Sequence, residues 1–245
     1  MNKLHLEILR ELKNHSSSLT VDKPNYKDFT LKYLGSPRKS YNLKTATARK
    51  IARKFKCSHR DLTVTEFGEL LDSLYQGDSF DERTFGKFLL ILYPKLRAQI
   101  PPQKLDTWLN YLSGWCEVDS LCQSLFKFEE MSKNWSAWEK LLLKFNKNKN
   151  VSKRRASLVL LTGPARQTGD TRVLNLAFRN IEKVKLEKDI LITKAISWLL
   201  RDLIKYHKAE VSKYLSQNAT TLPKIAVREV RNKLLTGKKT RRFKE

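Results

Sequence analysis

Residues 63–94 read TVTEFGELLDSLYQGDSFDERTFGKFLLILYP, and this stretch contains two helix starts of the same kind. Thr63 with Glu66, and Ser79 with Glu82, both have the spacing of a capping box. In a capping box each of the two side chains satisfies a backbone donor that the first helical turn leaves without a partner. The stretch therefore predicts two consecutive helices with defined beginnings.

The same kind of signal extends in both directions along the chain. Gly77 is suited to a left-handed end of the first helix, just after Tyr75, and Pro94 cannot continue the second. Ser36 before Pro37 predicts an earlier helix start, because the N–H that proline lacks has no partner in a first turn. Apolar residues at helical spacing predict further helices at about 4–12, 103–112, 116–126, 136–146, 153–161, 171–181, 190–206, 211–215 and 223–235.

The eight glycines and seven prolines lie between these periodic segments, and no pair of segments shows the turn chemistry of a β-hairpin. We therefore expect an all-α protein. Short loops between the helices indicate antiparallel pairs, which bury their apolar faces by stacking into a curved solenoid with a concave surface. A compact helical bundle is the alternative. We expect one domain over residues 1–236 and a basic, disordered tail over residues 237–245.

The formal net charge of +24 is the strongest indication of a partner. An excess of this size repels itself unless an anion neutralises it, and a pI near 10.0 is typical of nucleic-acid binding. The alternatives are a charge that only aids solubility and a membrane-surface protein. The longest apolar run, residues 88–93, is too short to cross a membrane, and charged residues among the first leucines do not suit a signal peptide. We expect a cytoplasmic, nucleoid-associated protein.

The cysteines and histidines show no metal or redox pattern. Cys57, Cys116 and Cys122 form an odd set without the spacing of a disulfide framework, which suits a reducing compartment. Cys57 and His59 are close in sequence, but no second pair completes a tetrahedral zinc site. The four histidines have no Ser or Cys partner at a catalytic spacing, and we expect them at the surface. The sequence thus implies neither a metal nor another cofactor.

Trp115 and Asp119 are four residues apart, so a helix places them on one face, one turn apart. They border an apolar stripe formed by Val118, Leu121, Cys122 and Leu125. A carboxylate beside an indole at the edge of such a stripe is partly desolvated, which is costly unless a cation partners it. The alternative is a packed tryptophan with a capping or solvated aspartate.

Lys153, Arg154 and Arg155 begin a strongly apolar helix. Positive charges at a helix start oppose the helix dipole and cost about 0.3–1 kcal/mol each. A local rule that is broken without visible compensation marks a candidate functional site. One of the arginines is therefore a candidate to bind a phosphate or to pair with Asp119. The alternative is a solvated basic turn.

Trp198 lies beside the predicted buried stripe of its own helix, which consists of Ile192, Ile196, Leu199 and Leu203. It shares its side of the helix with Lys194, Arg201 and Lys205. An aromatic side chain on a basic face suits contact with a sugar or base next to phosphate contacts. The alternative is a large residue that closes the edge of the core.

Together these segments resemble the AlkD-type alkylpurine DNA glycosylases, a family of HEAT-like helical repeats. Residues 114–119 (GWCEVD) resemble its tryptophan–aspartate motif, residues 153–156 (KRRA) its arginine motif, and residues 194–201 (KAISWLLR) its second tryptophan helix. Residues 33–37 (YLGSP) resemble its early glycine-and-proline turn. The resemblance covers most of the chain, from about residue 33 to residue 235, in the family's order.

The resemblance implies a curved solenoid of HEAT-like repeats with a basic concave face. It also implies a monofunctional glycosylase that acts as a monomer on double-stranded DNA. The substrates would be positively charged N3- or N7-alkylated purines, released without a base-flipping pocket. The implied site residues are the catalytic Asp119, Trp115 and Trp198 and the DNA-binding Arg155, Arg154, Lys153, Lys194 and Arg201. Of the two arginines at the helix start, Arg155 matches the functional arginine of the family better.

Two departures from the family pattern bear on this interpretation. Ser152 stands where the family usually has a tryptophan, and Cys116 and Glu117 replace a more usual aromatic and polar pair. The first alternative is a catalytically inactive HEAT-like module that binds damaged or branched DNA, which would not need Asp119. The second is a helical scaffold for RNA or an acidic protein, which predicts tolerance of changes at both site tryptophans.

Overall fold

The computed structural model describes residues 2–16, 33–123 and 125–240. Fourteen α-helices and no β-strand occur among these residues, which confirms the predicted all-α class. The chain divides into two compact units, Met1–Leu121 and Cys122–Glu245. The expectation of one repeat domain over residues 1–236 stays a prediction.

The first unit is built from seven of these helices, the last of which ends at its border. They are α1 (Lys3–Asn14), α2 (Thr45–Ser58), α3 (Val64–Tyr75), α4 (Phe80–Leu92), α5 (Pro94–Arg97), α6 (Lys104–Trp108) and α7 (Gly114–Cys122). Helix α1 packs against α2, α3 and α4, and α4 also packs against α2 and α3. Large aromatic side chains of these helices are fully buried between them, among them Phe67, Tyr75, Phe85 and Trp108.

Both predicted capping boxes are present, at the starts of α3 and α4. The second also connects distant parts of the chain. Glu82 is buried, accepts hydrogen bonds from the backbone N–H and the hydroxyl of Ser79, and lies 2.9 Å from Nε2 of His5 in α1. Burial opposes ionisation of this carboxyl, but the hydrogen bonds from His5 and Ser79 outweigh it and lower the pKa of Glu82. The Glu82 carboxyl is therefore ionised where α1 and α4 meet.

Two predicted features of this unit are wrong. Gly77 follows α3, but its backbone is not left-handed. Glycine is needed there for a steric reason, because a Cβ at this position would lie 2.7 Å from the Cβ of Glu82. No helix starts at Ser36 either, and the chain after it is irregular until α2 begins. The Ser36 hydroxyl is buried and donates to Glu117 instead of capping a helix.

The second unit consists of stacked helix pairs. Its helices are α8 (Phe128–Ser132), α9 (Trp135–Asn146), α10 (Val151–Gln167), α11 (Thr171–Val184), α12 (Ile190–Leu203), α13 (Lys208–Gln217) and α14 (Lys224–Thr236). From α9 onward each helix packs against the next one in the chain. In addition, α10 packs against α12, and α12 against α14. The pairs α9/α10, α11/α12 and α13/α14 therefore stack, as predicted, with α10, α12 and α14 in one layer.

Helix α10 is buried along nearly its whole length. It continues to Gln167, so the end predicted near Leu161 is wrong. The helix passes through Pro164, whose carbonyl still accepts from the N–H of Thr168 at 3.1 Å. Proline this close to a helix end removes one hydrogen bond, and the packing of α10 on four neighbouring helices outweighs that loss.

Helix α8 was not predicted, since five residues are too few to show a helical period. His5 and His207 are buried, so the surface expectation is wrong for these two, while His15 is exposed. Residues 241–245 of the predicted disordered tail lie outside the described residues.

Within the part of the chain that the structure describes, no helix combines the length and the apolar composition that a bilayer crossing requires.

Gly35 and Gly114 bring two distant backbone segments into contact. Both have a positive φ, +70° and +68° respectively. A Cβ on Gly114 would lie 2.4 Å from the carbonyl oxygen of Gly35 and 2.7 Å from that of Leu34. These are backbone atoms, so a change of side-chain rotamer cannot relieve the clash. The segment before Pro37 is thereby fixed against the first residue of α7.

We expect Gly114→Ala to destabilise the protein more than Gly237→Ala. Gly237 follows α14 with a φ of +73°, but a Cβ there would meet no atom within 4 Å. Gly237→Ala therefore has only the left-handed backbone cost of about 1–2 kcal/mol. The clash with Gly35 adds to that cost at Gly114, by about 1 kcal/mol or more. Urea denaturation of the two variants measures the difference, and equal losses of unfolding free energy would contradict the close backbone contact.

Candidate functional site

The predicted site residues fall into two groups, one in each unit. Trp115 and Asp119 belong to α7 in the first unit. The three cations of residues 153–155 belong to α10, and Trp198 belongs to α12, in the second unit. Within the second unit, α10 and α12 pack directly on each other.

Helix α7 presents Trp115 and Asp119 one turn apart at the edge of its buried face. The stripe predicted for this segment is confirmed, because Val118, Leu121, Cys122 and Leu125 are all buried. Trp115 is half-buried and Asp119 is 8% exposed. The carboxylate is thus largely removed from water, which strengthens its electrostatic interaction with any charge that develops next to it.

The Trp115 indole is held from the segment that precedes Pro37. Its Nε1–H donates to the carbonyl oxygen of Tyr33. The Tyr33 ring meets the indole edge-on, with ring centroids 5.7 Å apart and planes at 89°. Edge-to-face pairs of this kind are favourable for aromatic rings. The YLGSP segment therefore positions the tryptophan, a role that the sequence alone did not indicate for Tyr33.

Glu117 holds the start of α7 in place. Its carboxylate is completely buried, accepts from the Ser113 backbone N–H at 3.0 Å, and accepts from the Ser36 hydroxyl. Nη1 of Arg38 lies 3.2 Å from both carboxylate oxygens. A buried carboxylate is tolerated when its oxygens are paired in this way. Glu117 departs from the family pattern, and its role here is structural because it holds the start of α7.

Cys116, the other departure, cannot act as a nucleophile at neutral pH. Burial raises the pKa of its thiol to about 11, Lys87 opposes this, and the carboxylates of Asp119 and Glu117 add to the rise. Burial also lowers the pKa of Lys87 in α4. Both side chains line a cavity of about 240 Å³ within the first unit. The thiol beside Trp115 is protonated and serves packing.

The positive charges at the start of α10 have more hydrogen-bond and ion-pair partners than the sequence suggested. Nε and Nη2 of Arg154 each donate at 2.9 Å to Glu187, and Nη1 donates to the backbone carbonyls of Asn148 and Lys149. The Asn150 side chain caps the helix by accepting from the N–H of Ser152. All three nitrogens of the Arg154 guanidinium are thus engaged within the unit.

Arg155 has a different environment. It is 4% exposed, and its Nη1 donates to the backbone carbonyl of Leu191 in the first turn of α12. Lys153 is also buried, at 6% exposed. Arg155 therefore connects α10 to the helix that carries Trp198. Which arginine makes the phosphate contact stays a prediction.

Trp198 is half-buried at the edge of the predicted stripe, whose four residues (Ile192, Ile196, Leu199 and Leu203) are confirmed as buried. One turn later, Asp202 accepts a hydrogen bond from Nη1 of Arg166 in α10. Burial raises the pKa of the Asp202 carboxyl, while Arg166, Arg201 and the nearby Trp198 indole oppose the rise. Asp202 thus joins α12 to α10 one turn after the tryptophan.

A second carboxylate, which is buried, joins α12 to α14. Glu229 accepts from the Ser197 hydroxyl at 2.6 Å, and its Oε2 lies 3.5 Å from Nε of Arg201. Its other oxygen lies 3.3 Å from Nζ of Lys239. Arg201, predicted to bind DNA, is therefore paired within the protein. Lys194, predicted for the same role, is exposed and has no hydrogen bond or ion pair with the described residues.

One pattern in the sequence could have pointed to Asp202 as a residue of the site. Asp202 follows Trp198 at the same spacing of four residues that relates Asp119 to Trp115, so each site tryptophan is followed by an aspartate one helical turn later. Arg166 and Glu229 gave no comparable signal. Among the described residues, no group of three or more His, Cys, Asp or Glu side chains is arranged to hold a metal ion.

We expect Asp202→Asn to lower the free energy of unfolding by about 1–3 kcal/mol, because the hydrogen bond that Arg166 donates to a charged acceptor is replaced by a weaker one to a neutral amide. Urea denaturation measures this. Asp170→Asn is the matched control: Asp170 also pairs with an arginine, Arg172, but at a more exposed position, and asparagine preserves its role as the N-cap of α11. A loss no larger than that of the control would contradict the anchoring role of Asp202.

Comparison with known proteins places the chain in a family. A solved structure named "Predicted DNA alkylation repair enzyme from Enterococcus faecalis" matches with a TM-score of 0.70 and 16% identity, over 87% of this chain and 96% of that one. At this identity the match shows a shared fold. No curated protein sequence matches the chain. A family model described as DNA alkylation repair enzyme matches residues 9–234. Since that model spans nearly the whole chain, the protein belongs to the DNA alkylation repair enzyme family.

Proposed function

We propose that this protein is a monofunctional DNA glycosylase. It hydrolyses the N-glycosidic bond of positively charged N3- or N7-alkylated purines in double-stranded DNA, acting as a monomer. Membership of the family gives the chain a role in the repair of alkylated DNA, and the bond that is broken is our proposal. The observation that carries it is the position of Asp119, a nearly buried carboxylate one turn after a half-buried tryptophan.

The chemistry begins with a good leaving group. Alkylation at N3 or N7 gives the purine a positive charge, so the base departs as a neutral molecule with the electron pair of the glycosidic bond. Positive charge then builds on the deoxyribose, as in the oxocarbenium-like transition state of glycoside hydrolysis. The enzyme has no need to protonate the base, and its main task is to stabilise the cationic sugar.

Asp119 suits this task. A fixed carboxylate in a water-poor environment stabilises a cation that develops beside it, and this requires no reorganisation during the reaction. The same carboxylate can orient a water molecule toward C1′ and accept its proton as the new C–O bond forms. The products are the free alkylpurine and an abasic site.

The remaining site residues position the nucleotide. The Nε1–H of the Trp115 indole is held by the Tyr33 carbonyl, and both half-buried indoles have ring surface for apolar contact with the sugar. Arg155 is assigned to the phosphate next to the lesion. Since these contacts go to the sugar–phosphate chain, the damaged base is released without extrusion into a pocket, which avoids the unstacking that base flipping requires.

We expect Asp119→Asn to reduce base release by about 100-fold or more while DNA binding is retained, because the substitution removes the charge but keeps the shape of the side chain. The assay uses a duplex with a single N7-methylguanine and reveals abasic sites by heat or alkali. Asp61→Asn is the matched control: it makes the same charge change at an exposed aspartate of the first unit, and we expect normal base release.

Two results would contradict the proposal. If the unmodified protein binds the duplex but releases no base, the chain is a DNA-binding module without glycosylase activity. If Asp119→Asn releases base as fast as the unmodified protein, the bond is broken by other residues.

A further inference from the structure

The last helix carries a basic face that the site does not use. In α14, Ala226, Glu229 and Val230 are buried, and they face the helices on which α14 packs. Lys224, Arg228 and Arg231 follow each other at intervals of four and three residues. They therefore share one side of the helix, opposite the buried residues. All three are exposed. We call these three residues the α14 basic face.

The charge of this face is not neutralised within the protein. None of the three side chains has a hydrogen bond or an ion pair with a residue that the structure describes. The only acidic residue of α14 is Glu229, which is buried and already bonded to Ser197. In contrast, Arg154 is fully engaged with protein acceptors. The α14 basic face therefore has three positive charges available for an external anion.

The shape of the surface suits a chain of phosphates. The three cations line a groove of about 360 Å³, together with Ala219, Val227, Asn232 and Leu235. Lys224 and Arg231 are seven residues apart, which corresponds to about 10 Å along a helix. Successive phosphates of one strand rise about 3.4 Å along the duplex axis but also wind around it, so this length suits contact with about two or three of them. Small and apolar groove residues such as Ala219 and Val227 leave room for the sugars.

We propose that the α14 basic face binds the phosphate backbone of duplex DNA at a place away from the lesion, and that it does so whether or not the DNA is damaged. Phosphate contacts carry no sequence information, so this binding is independent of base sequence. A membrane surface is a poorer fit, because a helix that lies on a bilayer needs a broad apolar face toward the lipid, and Leu235 is the only large apolar side chain that α14 exposes. The inference rests on the DNA substrate of the family and does not require glycosylase activity.

The test is binding of an undamaged duplex by the triple variant Lys224→Ala, Arg228→Ala and Arg231→Ala over a range of salt concentrations. Each phosphate contact contributes about 0.9 to the slope of log K against log salt. We expect the slope to become shallower by about 2 to 3, and the affinity at low salt to fall by about tenfold or more.

The control removes the same number of charges from the other layer of the second unit. Lys183 of α11 and Lys208 and Lys213 of α13 are exposed and unpaired among the described residues, and their replacement by alanine should leave the slope unchanged. The charge-preserving variant Lys224→Arg, Arg228→Lys and Arg231→Lys should also keep the slope.

Three outcomes would overturn the proposal. The first is an unchanged slope in the triple alanine variant. The second is an equal change in the control variant, which would show a general effect of net charge. The third is a triple alanine variant that binds DNA as the unmodified protein does but no longer floats with phosphatidylglycerol vesicles. This result would assign the face to anionic lipid. Because the duplex is undamaged, a protein that releases no base can still pass this test.

Discussion

Carboxylates that are paired on several sides hold the candidate site helices α7 and α12 in place. Glu117 has no exposed surface, and it connects the start of α7 to Ser36 and Arg38, which are about eighty residues away in the sequence. A charge in this position is stable only while its partners stay in place, since removing one leaves the other buried and unpaired. The orientation of Trp115 and Asp119 therefore depends on a contact that the site itself does not contain.

Two further carboxylates hold α12, of which Glu229 is buried and Asp202 is partly buried. Asp202 joins it to α10 through Arg166, and Glu229 joins it to α14 through Ser197 and Arg201. The apolar stripe of α12 determines that the helix is buried, but apolar contacts alone allow small shifts along a neighbouring helix. The two carboxylates bond to defined atoms on both sides, so they specify the register at which Trp198 is presented.

Local signals in the sequence were enough to predict most of the helices and the position of Trp115 and Trp198 at the edge of a buried stripe. The capping boxes of α3 and α4 and the buried stripes of α7 and α12 depend on residues within a few turns of each other. Most errors arose where the cause lay outside the segment being interpreted. His5 is buried because its partners Ser73 and Glu82 lie in α3 and α4, and Gly77 is required by the side chain of Glu82 in the next helix. The cations of α10 looked uncompensated because Glu187 lies beyond the next helix.

The high pKa of Cys116 affects how readily this cysteine reacts with alkylating agents. Electrophiles that alkylate purines also attack cysteine, and the thiolate is the form that reacts. Since burial raises its pKa to about 11, Cys116 is almost entirely in the thiol form at pH 7. The cysteine beside Trp115 therefore reacts more slowly with such electrophiles than an exposed cysteine with an ordinary pKa.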